Sequence, residues 1–151
     1  MWIEPIYDRT QTDVNRVKEL NLKLQTNQAT EEEILEWQDN LKGVINTSDL
    51  QRIINNCNYL SEELGVEIVD LSIPEIPTVS WYATLLSNVQ TLIDNYIIHA
   101  ETPDLPIQPL NTFIKWNIIE KSLWDMSDIL SASTLYYCNE NDLICNDNIL
   151  I

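Results

Sequence analysis

One histidine, three cysteines and several runs of carboxylates are the side chains here that could support chemistry. His99 ends a predicted helix before a proline-rich stretch, where a helix-end or surface role is the ordinary one, and no triad can be assigned around it. Cys57, Cys138 and Cys145 include no CxxC pair, and with a single distant histidine they lack the ligand spacing of a zinc site. Gly43 and Gly65 stand alone, so no glycine-rich loop can cradle a phosphate, and kinase, NTPase and dinucleotide chemistry are set aside. Carboxylates group at Glu31 to Glu33, at Glu62 with Glu63 and at Asp125 with Asp128. Glycoside hydrolysis would need two of them opposed across a cleft with one pKa raised, and helical spacing marks no such pair. The expectation is a non-enzyme with no catalytic residue, no bound metal and no cofactor.

The five tryptophans are more informative. Trp37 and Trp116 fall on predicted core stripes, whereas Trp2, Trp81 and Trp124 sit at helix starts or off the stripe, where aromatic anchors of an interface or a sugar platform occur. Eight basic residues against 24 acidic ones give a net charge of −16, which repels phosphate backbones and anionic membrane surfaces. Neither nucleic acid nor membrane is expected as a partner. The charge serves solubility first and would also suit a basic partner face. No basic start leads into an apolar stretch, no 18-residue apolar run occurs, and the odd number of thiols fits synthesis in a reducing cytoplasm.

The elements that must position these residues are mainly helical, since 44% of the chain is hydrophobic and two glycines cannot serve many tight hairpins. Thr10 and Asp13 cap a first helix with Val14, Val17, Leu20 and Leu24 on one face. Thr30 with Glu33 forms a capping box ahead of Ile34, Trp37 and Leu41, and Gly43 is expected to end that helix. Ser48 with Gln51 repeats the device ahead of Leu50, Ile53, Ile54, Cys57, Leu60 and Leu64, with Gly65 as the stop. Residues 66 to 73, followed by Pro74 and Pro77, are expected to be an edge strand or a strap. A fourth helix should run from Thr78 or Ser80 to about Ile98, with Leu85, Leu86, Val89, Leu92, Ile93 and Tyr96 inward. Pro103, Pro106 and Pro109 make a stiff linker. A last helix from about Asn111 to Ser131 carries Trp116, Ile119, Leu123, Met126 and Leu130. Leu135 to Cys138 and Leu143 to Cys145 read as strands of a hairpin. The apolar residues Ile149, Leu150 and Ile151 need a groove or sheet edge to cover them. Ile53, Asn56, Cys57 and Leu60 recur in spacing as Leu85, Asn88, Val89 and Leu92, an echo that reads as two amphipathic helices each carrying one asparagine. In a true duplication the polar residue could fix helix register.

Several segments together resemble a family of small helical proteins encoded in the tail modules of phages, prophages and phage-tail-like bacteriocins of Gram-positive, especially clostridial, bacteria. The segments are "YDRTQTDVNRVKEL", "ATEEEILEWQDNLKGVINTSDLQRIINNCNYLSEELG", "IPTVSWYATLLSNVQTL" and "LPIQPLNTFIKWNIIEKSLWDMSDIL". They span nearly the whole chain and are packing motifs. The later "YYCNENDLICNDN" departs from the family's usual hairpin in lacking glycine. The resemblance implies a virion or particle component near the tail tip, in the baseplate or fibre-attachment region. Its implied partners are other tail or baseplate proteins, a fibre or receptor-binding protein, and further copies of itself.

The expected fold is thus mainly α: a compact bundle of about five helices with a short extended connector and a small C-terminal β-hairpin or extended tail. Residues 1–133 would form the helical domain, with sub-units 1–65 and 78–133 joined by the connector, and 134–151 a tail docked on a partner. Trp2, Trp81, Trp124, Tyr136, Tyr137, Ile149, Leu150 and Ile151 are the expected partner contacts. Two other classes remain open on sequence grounds: a soluble acidic inhibitor that imitates DNA, and a glycan-binding receptor module.

Overall fold

The computed structural model describes residues 1–136 and contains five helices: α1 (Gln11–Gln25), α2 (Glu31–Gln38), α3 (Thr47–Leu64), α4 (Val79–Asp94) and α5 (Phe113–Tyr136). The expected capping box forms at α2, and the Thr10–Asp13 cap of α1 is also a box: the Asp13 and Glu33 carboxylates accept the Thr10 and Thr30 amides at 2.7 and 3.1 Å. Thr78 caps α4, its hydroxyl accepting the Trp81 amide. Gly65 closes α3 in the left-handed region at φ 63°.

Other boundaries differ from the sequence reading. Helix α2 stops at Gln38, leaving Leu41 outside it, and Gly43 has a different task. A Cβ at Gly43 would lie 2.1 Å from the Asp13 carbonyl oxygen, so glycine is what lets the 39–46 loop press against the first turn of α1. Helix α3 starts earlier than a Ser48 cap allows, because the Asp49 carboxylate takes the Asn46 amide at 2.8 Å. Helix α4 ends at Asp94 and not near Ile98, with the Asn95 side-chain amide turned back onto the Thr91 carbonyl at 2.8 Å. Helix α5 takes in Leu135 and Tyr136, read from sequence as the start of a strand; the rest of that hairpin lies outside the described residues. Trp37 is 37% exposed and not a core residue, since α2 buries no side chain fully.

The core is a three-helix assembly of α3, α4 and α5, each packed on the other two. The starts of all three open on one cleft, lined by Thr47 and Leu50, by Pro77 and Tyr82, and by Phe113 and Trp116, so the helices run parallel. Their buried residues repeat in register: Ile53, Leu85 and Ile119; Cys57, Val89 and Leu123; Leu60, Leu92 and Met126. The sequence echo between α3 and α4 is therefore a structural equivalence that extends to α5, where Ser122 takes the asparagine position.

Parallel helices require long returns, and extended straps supply them. The N-terminal arm runs antiparallel to α3, with Ile3 at Asn56 and Arg9 at Asp49. Residues 66–78 run back along α4, with Val69 at Asn88 and Ser72 at Trp81. Residues 95–112 run back along α5, with His99 at Asp128, Thr102 at Asp125 and Leu110 at Trp116; the Gln108–Pro109 bond is cis. All six prolines lie in these three straps. A strap that pairs with no sheet leaves amides without ladder partners, and proline has none to satisfy.

Asparagine side chains hold the straps by imitating a backbone partner. Asn56 accepts the Ile3 amide at 2.9 Å and donates to the Ile3 carbonyl at 2.7 Å. Asn88 does the same for Val69 at 2.9 and 2.8 Å, and Asn117 for Arg9 at 3.2 and 2.8 Å. Replacing Asn88 by Leu removes both bonds while keeping the shape, and should cost about 2 kcal/mol at roughly 1 kcal/mol per bond. The urea midpoint reads that loss, and limited proteolysis should cut first within residues 66–78.

Helices α1 and α2 form a side hairpin held by charge: Arg16 bridges Glu36 at 2.6 Å and Glu19 at 3.0 Å, and Lys23 pairs with Glu33 and Glu19. The Lys23 ammonium, helped by the Thr30 amide, holds the Glu33 carboxyl below its ordinary value, Arg16 does so for Glu36, and Lys23 with Arg16 for Glu19. Groups with depressed folded pKa values stabilise above the ordinary carboxylate range and lose that contribution as pH falls below about 4. Acidification should therefore abolish the helical Cα chemical shifts of α1 and α2 before those of α4, as followed by NMR.

Candidate functional site

The densest group of ionisable side chains lies where the arm crosses α3 and α5. Arg9, Asp49, Arg52 and Glu120 are all buried. One Glu120 oxygen accepts from Arg9 at 2.9 Å and Arg52 at 2.7 Å, and the other from Arg52 Nε and the Ile6 amide, both at 2.8 Å. Asp49 accepts from Arg9 at 3.0 Å and Arg52 at 2.6 Å. Burial works to lower the Arg52 pKa, but the Glu120 and Asp49 carboxylates outweigh it and raise the value. Two positive and two negative charges neutralise one another, and every carboxylate oxygen is engaged. Only Arg9 Nε is left without a partner, and the set as a whole ties the arm, α3 and α5 together.

A second polar cluster sits where the 95–112 strap crosses the later turns of α5. Asp125 is 1% exposed and takes hydrogen bonds from Lys121 and Thr102. The Lys121 ammonium also lies 4.6 Å from the centre of the Trp124 ring and 5.5 Å from that of Tyr7, and these two rings meet at 5.6 Å. His99 contacts Asp128 at 3.1 Å, with both side chains nearly half exposed. The aromatic faces are thus partly covered by the chain's own cation. Cys57, buried in the core, has its thiol pushed up to about 12 by desolvation, which denies it thiolate reactivity. Among the described residues, no group of three or more His, Cys, Asp or Glu is placed to hold a metal ion. No described helix is long and apolar enough to cross a membrane.

The third feature is the end of the bundle where α3, α4 and α5 begin. Its cleft of about 710 Å³ is walled by α1, the loop before α3, the 66–78 and 95–112 straps and Arg9 of the arm. Of its lining residues Ile114 is 56% exposed, and the adjoining segments carry Ile76 at 77%, between the lining residues Glu75 and Pro77, Val79 at 75% and Ile107 at 81%. The Gln108 side chain donates to the Val79 carbonyl at 3.1 Å, and Lys115 donates to the Ile107 carbonyl at 2.9 Å, which ties the strap to the starts of α4 and α5. Apolar groups gathered at one end of an acidic molecule are the kind of surface that docks a partner.

The residues singled out from sequence are dispersed. Trp2 is half-buried against Tyr59, ring centres 5.7 Å apart, and Trp124 is half-buried beside Tyr7 and Lys121. Trp81 is 9% exposed and donates to the Ser72 carbonyl at 2.8 Å, so it pins the second strap and is not an external anchor. Its correction follows from the strap, which covers a helix start that sequence periodicity left bare. Tyr136 is the last described residue, at the end of α5, and Tyr137, Ile149, Leu150 and Ile151 lie beyond the described residues. Sequence reasoning passed over the charged quartet, because its members are far apart in the chain, and the apolar end, because Ile76, Val79, Ile107 and Ile114 lie on four different segments. No protein-family model, curated protein or solved structure matches this chain.

The quartet makes a strong demand on Glu120. In Glu120→Gln, Arg9 and Arg52 share Asp49 alone, and breaking a buried pair this way costs about 3–5 kcal/mol. Urea denaturation should show that loss. A cycle with Arg9→Met should show the double variant losing less than the sum of the single losses, since both remove the same contact.

Proposed function

We propose that this chain is a non-enzymatic structural adaptor of a phage tail or contractile phage-tail-like particle, seated in the baseplate, tail-tip or fibre-attachment region. The observation that carries the reading is the group of exposed apolar side chains at the starts of the bundle helices, Ile76, Val79, Ile107 and Ile114, on a strongly acidic chain. An adaptor needs a rigid frame with a face left open for a neighbour. The strap clamps and the charged quartet supply the first, and the uncovered apolar end the second. The resemblance of four segments to tail-module proteins supplies the particle context. In this reading the partners are other tail or baseplate proteins and a fibre or receptor-binding protein, and the place of action is the tail end of the particle.

Mass spectrometry of purified particles, fractionated away from soluble lysate, is the test. The adaptor reading expects this chain in the particles at a fixed ratio to the other tail proteins. Recovery solely from the soluble fraction would overturn it and favour an inhibitor acting on a basic host protein.

A further inference from the structure

The two ends of the bundle differ in charge. Six of the eight basic side chains are paired with carboxylates: Arg9, Arg16, Lys23, Lys42, Arg52 and Lys121. The other two serve the end where the core helices begin. Lys18 lines the cleft and has no carboxylate partner among the described residues, and Lys115 is held by the carbonyls of Ile107 and Pro109 at 2.9 and 2.7 Å. The positive ends of the α3, α4 and α5 dipoles open there too, and Glu75 is the one carboxylate side chain in the lining. This end of a chain with charge −16 is therefore apolar and close to neutral, with Lys18 and the helix starts as its positive groups.

At the opposite end α5 outruns its neighbours. With Leu60, Leu92 and Met126 level in the core, α3 stops at Leu64 and α4 at Asp94, while α5 continues to Tyr136. At about 1.5 Å per residue, α5 projects roughly 9 Å past α3. Residues 137–151 follow, with Glu140, Asp142 and Asp147, no basic residue, and the apolar Leu143, Ile144, Ile149, Leu150 and Ile151. This composition complements the cleft in both charge and apolarity. Extended, the segment could reach about 50 Å. Yet α3, α4 and α5 each already carry an antiparallel strap, so a fourth return along the same bundle finds no bare helix.

We propose that residues 137–151 of one copy seat in the cleft of a second copy. Ile149 to Ile151 would lie against the Ile76, Val79 and Ile114 rim, with the segment's carboxylates toward Lys18 and the helix starts. Such a contact joins unlike surfaces, head to tail, and builds a ring if its rotation closes or a filament if it does not. It is a property of the purified chain and stands or falls separately from the particle assignment.

Sedimentation of the full chain over a concentration series is expected to give masses above the monomer, reduced by added salt. Two variants, each to be checked for unchanged helical circular dichroism, disable one half apiece: Lys18→Glu with Ile114→Asp in the cleft, and Ile149→Asp with Leu150→Asp in the segment. Each alone should weaken association by about tenfold or more. Mixed, they retain one intact cleft and one intact segment, and should form a one-to-one pair and nothing larger. A full chain that stays monomeric at every concentration, assembly unaffected by either variant, or a mixture that stays monomeric would overturn the proposal. So would a monomer whose residues 137–151 resist proteolysis until the cleft is altered, because that outcome places the segment in its own chain.

Discussion

Glu120 receives four hydrogen bonds from three directions: one from Arg9, two from Arg52 and one from the amide of Ile6. A buried carboxylate is costly unless nearly every lone pair is engaged, and here the engagement joins the arm, α3 and α5 at one point. The rest of the architecture follows from that junction. It fixes the level of α5 against α3, and it holds Arg9 where Asn117 can clamp the backbone and where the next residue, Thr10, can cap α1. Opposite charges in equal number make the junction neutral, so it sits in the interior of a strongly acidic chain without adding to the self-repulsion of its surface.

Parallel helices raise a second constraint, because each return must cross the length of the bundle without a sheet to satisfy its amides. The chain answers with prolines, which carry no amide, and with asparagines, which offer a donor and an acceptor in the spacing of a backbone peptide. Asn56 and Asn88 hold equivalent positions on α3 and α4 and grip their straps in the same way. The asparagines thus set the registers of strap on helix, a role different from the helix-to-helix register that a buried asparagine plays in coiled coils. Apolar strap residues, among them Ile68, Leu71, Ile98 and Leu105, then pack on the core that the helices alone would leave partly open.

With polar groups spent in this way, the surface divides. Most cations are drawn into pairs with neighbouring carboxylates, in the α1–α2 hairpin above all, while the end formed by the three helix starts keeps its apolar side chains uncovered. A cross-braced interior with an apolar end suits a protein whose work is to hold neighbours in place, the reading proposed above. At the cluster near His99 and Asp125 the partners are likewise supplied by the strap and by α5.

The sequence by itself determined the local elements. Thr10, Thr30 and Thr78 mark helix starts, Gly65 marks a stop, and the three-four spacing of Ile53, Leu85 and Ile119 with their successors marks the faces that pack, because capping and amphipathicity depend on residues within a turn or two. The prolines likewise marked the stretches at Pro74 and Pro77 and at Pro103, Pro106 and Pro109 as extended, without saying what they lie against. Only the tertiary structure decided that α3, α4 and α5 run parallel, that Trp81 belongs to the interior while Trp37 does not, and that Gly43 serves a close approach of the loop to α1. It also decided that Arg9, Asp49, Arg52 and Glu120 are one unit and that four isoleucine and valine side chains from separate segments share one end. These are relations between residues distant in the chain, where burial and pairing depend on which elements meet, and no periodicity or local motif encodes that meeting.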